Sequence, residues 1–344
     1  MLITFSMLIA GLALLFAGGQ GLVQGASELG RRMSLSPALI GFVLLGLGTS
    51  APELAFGIGA AMTHHGQLAV GNVVGSNIVN ICFVLGLAAL IAPFSRLAPS
   101  ALADLPALLA VSLLGVVLVY DGQLTRPEGL ILLLAALICI LLILRRDRNA
   151  AAASSGTETE TNDDEAESVA KSGADAPSGV ASVGDTNSVA ADQLALQQAW
   201  WQHPVLWVIA GLVALMLGAE LVINGASRLA LSLGVPEAVI GLTVTAFGTG
   251  VPETAATIIA ALRREFELAI ANIAGSNIFN LGLVLGTSAL VEPLHHADVG
   301  IVALAVVLAA TFAMIAIAGL WRFGRVAGGM LLGGYLLYTA YVFM

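Results

Sequence analysis

Ten stretches of this chain are apolar for long enough to cross a bilayer, and little else that it could fold into would bury them. They run over about residues 2–28, 37–63, 67–93, 100–120, 127–145, 203–230, 236–262, 266–291, 298–319 and 325–344. A spanning helix needs roughly 17–25 such residues. A membrane β-barrel would instead show short segments of alternating polarity. Composition agrees. Only 10% of the 344 residues are charged and 58% are hydrophobic, against roughly 25% charged in a soluble domain. The expected fold class is therefore all-α, a polytopic membrane protein with ten transmembrane helices. A soluble enzyme, a nucleic-acid binder and a secreted disulfide scaffold are all disfavoured. Cys82 and Cys139 lie in apolar runs and read as small buried hydrophobes. The first stretch lacks a basic leader and a small-residue cleavage site, so it reads as a retained helix.

The net charge of −9 belongs to one segment. Residues 149–199 hold nine of the 22 acidic side chains and a single base, Lys171. Rich in Ala, Ser, Gly and Thr, this segment is too polar to repay its ordering entropy and is expected to be disordered. It divides the chain into 1–148 and 200–344, with five apolar stretches in each. Basic residues favour cytoplasmic loops. With the N-terminus outside, eleven of the 13 basic residues, from Arg31 and Arg32 to Arg322 and Arg325, fall on the cytoplasmic side, leaving Arg126 and Arg228 outside. Both termini are thus expected outside and the acidic loop in the cytoplasm. His64, His65, His295 and His296 read as solvated loop residues, and Glu28 and Glu220 as side chains that snorkel to the surface.

The two parts are copies. GFVLLGLGTSAPE at 41–53 returns as GLTVTAFGTGVPE at 241–253, and GNVVGSNIVN at 71–80 returns as ANIAGSNIFN at 271–280. Gly25-Ala26-Ser27 and Pro93 also recur, always 200 positions later. Five spans separate equivalent helices, and five is odd, so the second repeat should lie inverted with respect to the first. Two inverted five-helix repeats around midplane ion sites are a common plan of secondary transporters, although some channels share it.

The repeated motifs carry the chemistry. Glu53 and Glu253 fall well inside apolar stretches, where a carboxylate is costly and needs a partner. Each follows a proline, Pro52 or Pro252, which lacks an N–H and clashes with the preceding turn. Gly48-Thr49-Ser50 and Gly248-Thr249-Gly250 lie just upstream. The helices should break there and free backbone carbonyls, which is tolerated where backbone lines a cavity. Carboxylate, hydroxyl and carbonyl oxygens form a hard set suited to Ca2+ or Na+. Asn72, Ser76 and Asn80 recur every fourth residue and share one helical stripe, as do Asn272, Ser276 and Asn280. Such stripes also serve as glue between helices. Asn77 and Asn277, a quarter turn away, read as caps for broken-helix carbonyls. Gly71, Gly75 and Gly275 would permit close helix approach. Two carboxylates about 5 Å apart repel by about 3 kcal/mol at an effective dielectric near 20. One divalent cation, or several monovalent ions or protons in its place, removes that repulsion.

These motifs resemble the two repeats of the cation/Ca2+ exchanger superfamily, in its prokaryotic Na+/Ca2+ exchanger branch. The resemblance covers both halves and all ten stretches. It implies a cell-membrane antiporter, in the inner membrane, that carries Ca2+ and Na+, needs no cofactor and is not an enzyme. A monomer would suffice, and the lipid bilayer is its surroundings. Glu53 and Glu253 would be the principal Ca2+ ligands, with carbonyls from Thr49 and Thr249 and, one turn earlier, from Gly46 and Ala246. Ser50, Ser76 and Ser276 would join flanking Na+ sites, and Asn80 and Asn280 would point into the centre. The first and sixth helices would slide across the remaining bundle. Gly250 stands where the family has serine, which removes one hydroxyl. Asn280 stands where K+-dependent relatives have Asp, which argues against K+ dependence. Ca2+/H+ exchange is the nearest alternative, a cation channel a more remote one, and intramembrane catalysis the most remote.

Overall fold

Apolar runs in lipid must satisfy their backbone groups internally, so they become helices. The computed structural model of the chain describes residues 2–93, 102–170, 203–234, 248–295, 300–320 and 323–342. The expected positions of Arg96, Lys171, Ala246, His296 and Arg322, and residues 171–199 of the acidic segment, lie outside these. In chain order the helices are α1 (Leu2–Met33), α2 (Pro37–Thr49), α3 (Ala51–Met62), α4 (Gly66–Ile91) and α5 (Leu105–Val119), then α6 (Arg126–Ala170) and α7 (Pro204–Ser232). They continue with α8 (Val251–Leu262), α9 (Phe266–Val291), α10 (Ile301–Leu320) and α11 (Arg325–Val342). Six described helices are long and apolar enough to cross a membrane, and seven when α2 and α3 count as one bent span.

The acidic segment departs from expectation. α6 continues as helix from Arg126 to Ala170, so the stretch 149–170 is helical rather than disordered. Its alanines and glutamates are strong helix formers, and they extend a helix already nucleated by the apolar run before them.

Two apolar clusters organise the described helices. The larger joins α4, α5, α6, α9, α10 and α11. The smaller joins α1 and α7 to α8 and the facing edges of α2 and α9. α1 and α7 meet along a seam of glycines spaced by seven residues. A Cβ on Gly11 would come within 2.9 Å of the Gly218 carbonyl oxygen, and one on Gly18 within 2.9 Å of the Gly211 carbonyl oxygen. Gly25 meets Pro204 in the same way. Rising numbers on α1 face falling numbers on α7, so these two equivalent helices run antiparallel. Close approach of this kind gains dispersion energy that lipid cannot supply.

Polar clamps close the ends. Asp104, buried at the start of α5, lies 2.7 Å from Arg146 on α6. The next residue, Asp147, accepts from the Ser36 N–H at 3.3 Å, where Ser36 caps α2. Burial pushes the Asp104 carboxyl above the usual carboxylate range, and Arg146 pulls it back. On the opposite side, a two-residue ladder pairs Gln123 with His295 and Leu124 with Leu294. Arg126 caps the last carbonyls of α9, Leu290 and Val291. His64 is largely exposed beside Glu292, and Cys82 and Cys139 are buried and free, as expected. Glu28 pairs with Arg31 and Arg32. Glu220 differs from expectation, since it lies well inside α7 rather than near an end.

Candidate functional site: two buried carboxylates at broken helices

The first break falls at Ser50, where the chain turns by 42° between α2 and α3. Ser50 takes φ −80° and ψ 5°, and Gly250, before α8, takes nearly the same angles, φ −83° and ψ 4°. Pro52 and Pro252 each sit at the start of the helix that follows, where the missing N–H is not needed. Glu53 and Glu253 therefore occupy the first turns of α3 and α8. Helix starts carry partial positive charge, which lets two anions stand close together without a basic residue. Glu53 and Glu253 are 1% and 0% exposed.

The hydroxyls and amides named from sequence gather round them. Ser50 Oγ donates to Glu253 Oε1 at 3.3 Å. Thr49 Oγ1 donates to the Leu45 carbonyl at 2.9 Å and lies 3.5 Å from Ser276 Oγ. Ser276 Oγ also reaches the Gly46 carbonyl at 3.5 Å. In the other half, Thr249 Oγ1 donates to Asn72 Oδ1 at 3.3 Å. Thr49 and Thr249 thus use their hydroxyls within the protein. Ser76 is buried, and its Oγ has no hydrogen-bond partner among the described residues.

Asn77 and Asn277 act differently from the reading made from sequence. They donate to carbonyls, but to each other's rather than to the breaks at Ser50 and Gly250. Asn77 Nδ2 reaches the Asn277 carbonyl at 3.4 Å, and Asn277 Nδ2 reaches the Asn77 carbonyl at 3.3 Å. Asn80 Nδ2 donates to Asn277 Oδ1 at 3.0 Å, and Asn280 Nδ2 to Asn77 Oδ1 at 3.2 Å. The four bonds exchange under a shift of 200 positions. They pin α4 to α9 where both helices pass through a π-turn, Val79–Leu85 and Asn280–Val284. Single π-turns inside helices are frequent at functional sites.

The unpartnered atoms show what the arrangement can do. Both oxygens of Glu53, Oε2 of Glu253 and the Oδ1 atoms of Asn80, Asn280 and Asn272 are buried with no hydrogen-bond donor among the described residues. Buried acceptors without donors are costly, and a hard cation satisfies such oxygens. Among the described residues, no three His, Cys, Asp or Glu side chains converge. A cation bound to the pair would therefore add amide, hydroxyl and backbone oxygens to the two carboxylates.

Sequence reading left Thr257 out. It accepts from Asn272 Nδ2 at 2.9 Å across the α8–α9 hairpin. The repeat gives no sign of it, because the matching residue is Gly57. The glycines divide. A Cβ on Gly275 would lie 2.5 Å from the Phe42 carbonyl oxygen, so this position does require glycine. No described atom lies within 4 Å of a Cβ built at Gly71 or Gly75.

A family model described as "Sodium/calcium exchanger protein" matches residues 3–145 and 203–344. The chain belongs to the sodium/calcium exchanger family. It is 31% identical to the "Inner membrane protein YrbG" of Escherichia coli strain K12, over all of this chain and 98% of that one. It is 32% identical to the "Putative antiporter CaxA" of Alkalimonas amylolytica, over all of this chain and 99% of that one. The sodium-calcium exchanger NCX_Mj, solved after soaking in 10 mM Na+ without Ca2+, superposes with a TM-score of 0.77 at 26% identity, covering 98% of each chain. The chain is thus a multi-pass membrane protein with the antiporter fold of its family.

Proposed function

We propose that the protein is a secondary antiporter that exchanges Ca2+ for Na+ at the Glu53–Glu253 pair. The observation that carries this reading is the pair itself. Two carboxylates at the starts of two broken helices are fully buried, one of them, Glu253, bonded by Ser50 of the other half, and between them left with three unpartnered oxygens. Ca2+ matches their combined charge, and its preference for six to eight oxygen ligands suits the surrounding amides, hydroxyls and carbonyls. Na+ ions at the same carboxylates exclude it, and mutual exclusion couples the two fluxes. Ser50, Thr49, Thr249, Ser76, Ser276, Asn80 and Asn280 complete the ion sites, through carbonyls at the two threonines.

The same reading takes the chain as ten spans in two inverted repeats, 1–148 and 200–344, joined by a cytoplasmic segment at 149–199. Both termini face outside. The Gly11–Gly218 and Gly18–Gly211 contacts of the antiparallel α1–α7 seam and the reciprocal asparagine bonds support the inversion, since a shift of 200 positions exchanges each contact with its counterpart. In this reading α1 and α7 are the moving part, as the family resemblance implies. The exchanger works as a monomer, needs no cofactor and catalyses no reaction.

Proton coupling is the second reading, and Gly250 favours it, because one hydroxyl of the expected Na+ set is gone. Uptake of radioactive Ca2+ into proteoliposomes decides between them. An outward Na+ gradient alone drives uptake if Na+ is the coupling ion. Uptake driven only by an outward H+ gradient overturns Na+ coupling, and Ca2+ flux without any counter-ion dependence overturns exchange.

A further inference from the structure

Equivalent helices of the two repeats are not equally packed. α1 lies against α8, where a Cβ on Gly19 would come within 2.9 Å of Ile259 Cγ1. The equivalent pair is Ala219 on α7 and Gly59 on α3. There the helices are parted. No described atom lies within 4 Å of a Cβ built on Gly59. An apolar cavity of about 460 Å3 is lined by Ala51 and Ala55 of α3 together with Met216, Ala219 and Ile223 of α7.

The hairpin turns show the same difference. Two side-chain bonds tie α1 to the turn between α8 and α9. Arg263 Nη1 donates to Gln20 Oε1 at 2.8 Å, and Ser27 Oγ donates to Glu265 Oε2. Glu265 also pairs with Arg263 at 3.5 Å, so the four residues form one network. Their repeat mates are Glu220 and Ser227 on α7, and Thr63 and His65 in the turn between α3 and α4. Among the described residues, no bond joins Glu220 to Thr63 or Ser227 to His65. Thr63 Oγ1 donates instead to the Gly59 carbonyl at 2.9 Å and lies 3.1 Å from His65 Nδ1, and Glu220 is exposed. The two turns stand at opposite ends of the bundle. One leads into α9, and the other meets Glu292 just beyond its end. The 26 residues of α9 separate them by about 39 Å.

We propose that Gln20, Ser27, Arg263 and Glu265 form a latch that holds α1 on the α8–α9 hairpin, and that Glu220 and Ser227 engage Thr63 and His65 as the matching latch at the other end once the first is released. The residue types suit the exchange. The Thr63 hydroxyl can donate to the Glu220 carboxylate, and the Ser227 hydroxyl can bond a ring nitrogen of His65. Nothing blocks the approach, because Gly59 leaves room for Ala219 and the apolar cavity closes on contact. The second latch is the weaker. Ala219 over Gly59 buries less apolar surface than Ile259 over Gly19, and Thr63 brings no charge where Arg263 brings one. The arrangement seen, with α1 latched and α7 free, is therefore the resting one. This rests on the exchanger reading above for the use of the movement, which opens the Glu53–Glu253 pair to each end in turn, but not for the latches.

Cross-linking of cysteine pairs in the full chain in proteoliposomes tests it. Cys82 and Cys139 are buried and stay out of the reaction. A short bifunctional thiosulfonate should bridge the pair in Gln20→Cys/Arg263→Cys and also the pair in Thr63→Cys/Glu220→Cys, read by mass spectrometry. Adding Arg263→Ala to the second variant should speed its cross-linking roughly three- to tenfold, the effect of one lost hydrogen bond. Ser227→Cys/His65→Cys probes the same latch with Glu220 intact. Folded proteins in which neither of these second-latch pairs cross-links overturn the proposal, and so does a rate that Arg263→Ala leaves unchanged. Either bridge should stop Ca2+ exchange, and a thiol reductant should restore it. Exchange that continues through a complete bridge overturns the latches as parts of the transport cycle. Bridges that form as expected while Ca2+ flux shows no counter-ion dependence overturn the exchanger reading and leave the latches standing.

Discussion

The two breaks share a backbone but differ in what they offer. Ser50 and Gly250 have matching dihedral angles, and each precedes a proline and a buried glutamate. Ser50 donates to the glutamate of the other half, Glu253. Gly250 has nothing to donate, and both oxygens of Glu53 are left unpartnered. The four asparagine bonds show the opposite case, with full reciprocity. The lesson is that the repeat keeps its clasp symmetric while the surroundings of its two buried glutamates have become lopsided. A clasp of mutual side-chain-to-backbone bonds fails if either copy changes. A ligand set can lose a member and still hold an ion.

The largest effect should not respect this asymmetry. Glu53→Gln and Glu253→Gln should each lower Ca2+ exchange by roughly a hundredfold or more, since either removes half the charge facing a divalent ion at short range. Radioactive flux shows it, with unchanged helical circular dichroism as the check on folding. Retained exchange in both variants would sink the assigned site.

Asn77→Ala and Asn277→Ala should cost similar stability, about 1–3 kcal/mol each, because both strand buried partners. Thermal unfolding in detergent reads this. A large cost for one and none for the other would break the symmetric half of the comparison.

The Asp104–Arg146 pair has no repeat mate, since position 304 is Leu304. Arg146→Gln should destabilise by about 1–3 kcal/mol by leaving a buried carboxylate unpaired, and Asp104→Asn in the same chain should restore much of it. The sign with pH follows from the raised Asp104 carboxyl. The folded protein holds a proton there that the unfolded chain has lost, so stability falls as pH climbs from about 3.8 towards the raised value. Unfolding scans across that range should show a wider window in Arg146→Gln. A window that stays the same would mean that Arg146 does not tune the carboxyl.

The smallest effects sharpen the asymmetry itself. Ser50→Ala should weaken Na+ binding by about 0.5–1.5 kcal/mol, one hydrogen bond. Gly250→Ser, whose backbone already suits serine, should strengthen it by a similar amount. Isothermal titration with Na+ measures both. Opposite signs support the missing-hydroxyl account, and no change in Gly250→Ser removes it.

The sequence by itself determined a helical membrane protein, its repeat, its helix breaks and the residues of a candidate site. Each of these follows from local physics. Long apolar runs need internal backbone bonds, proline interrupts a helix at its own position, and a repeat copies whatever the first half contains. The tertiary structure alone decided who partners whom. Sequence could place Ser50 beside its own Glu53, but not set it against Glu253. It could mark Asn77 as a cap, but not show that its acceptor is Asn277. It gave no sign of Thr257, whose bond to Asn272 crosses a hairpin, and it placed Glu220 near a helix end when the residue lies well inside α7. Partners between helices depend on how the helices cross, and crossing is set by packing along seams such as Gly11–Gly218 and Gly18–Gly211 rather than by spacing within any one helix.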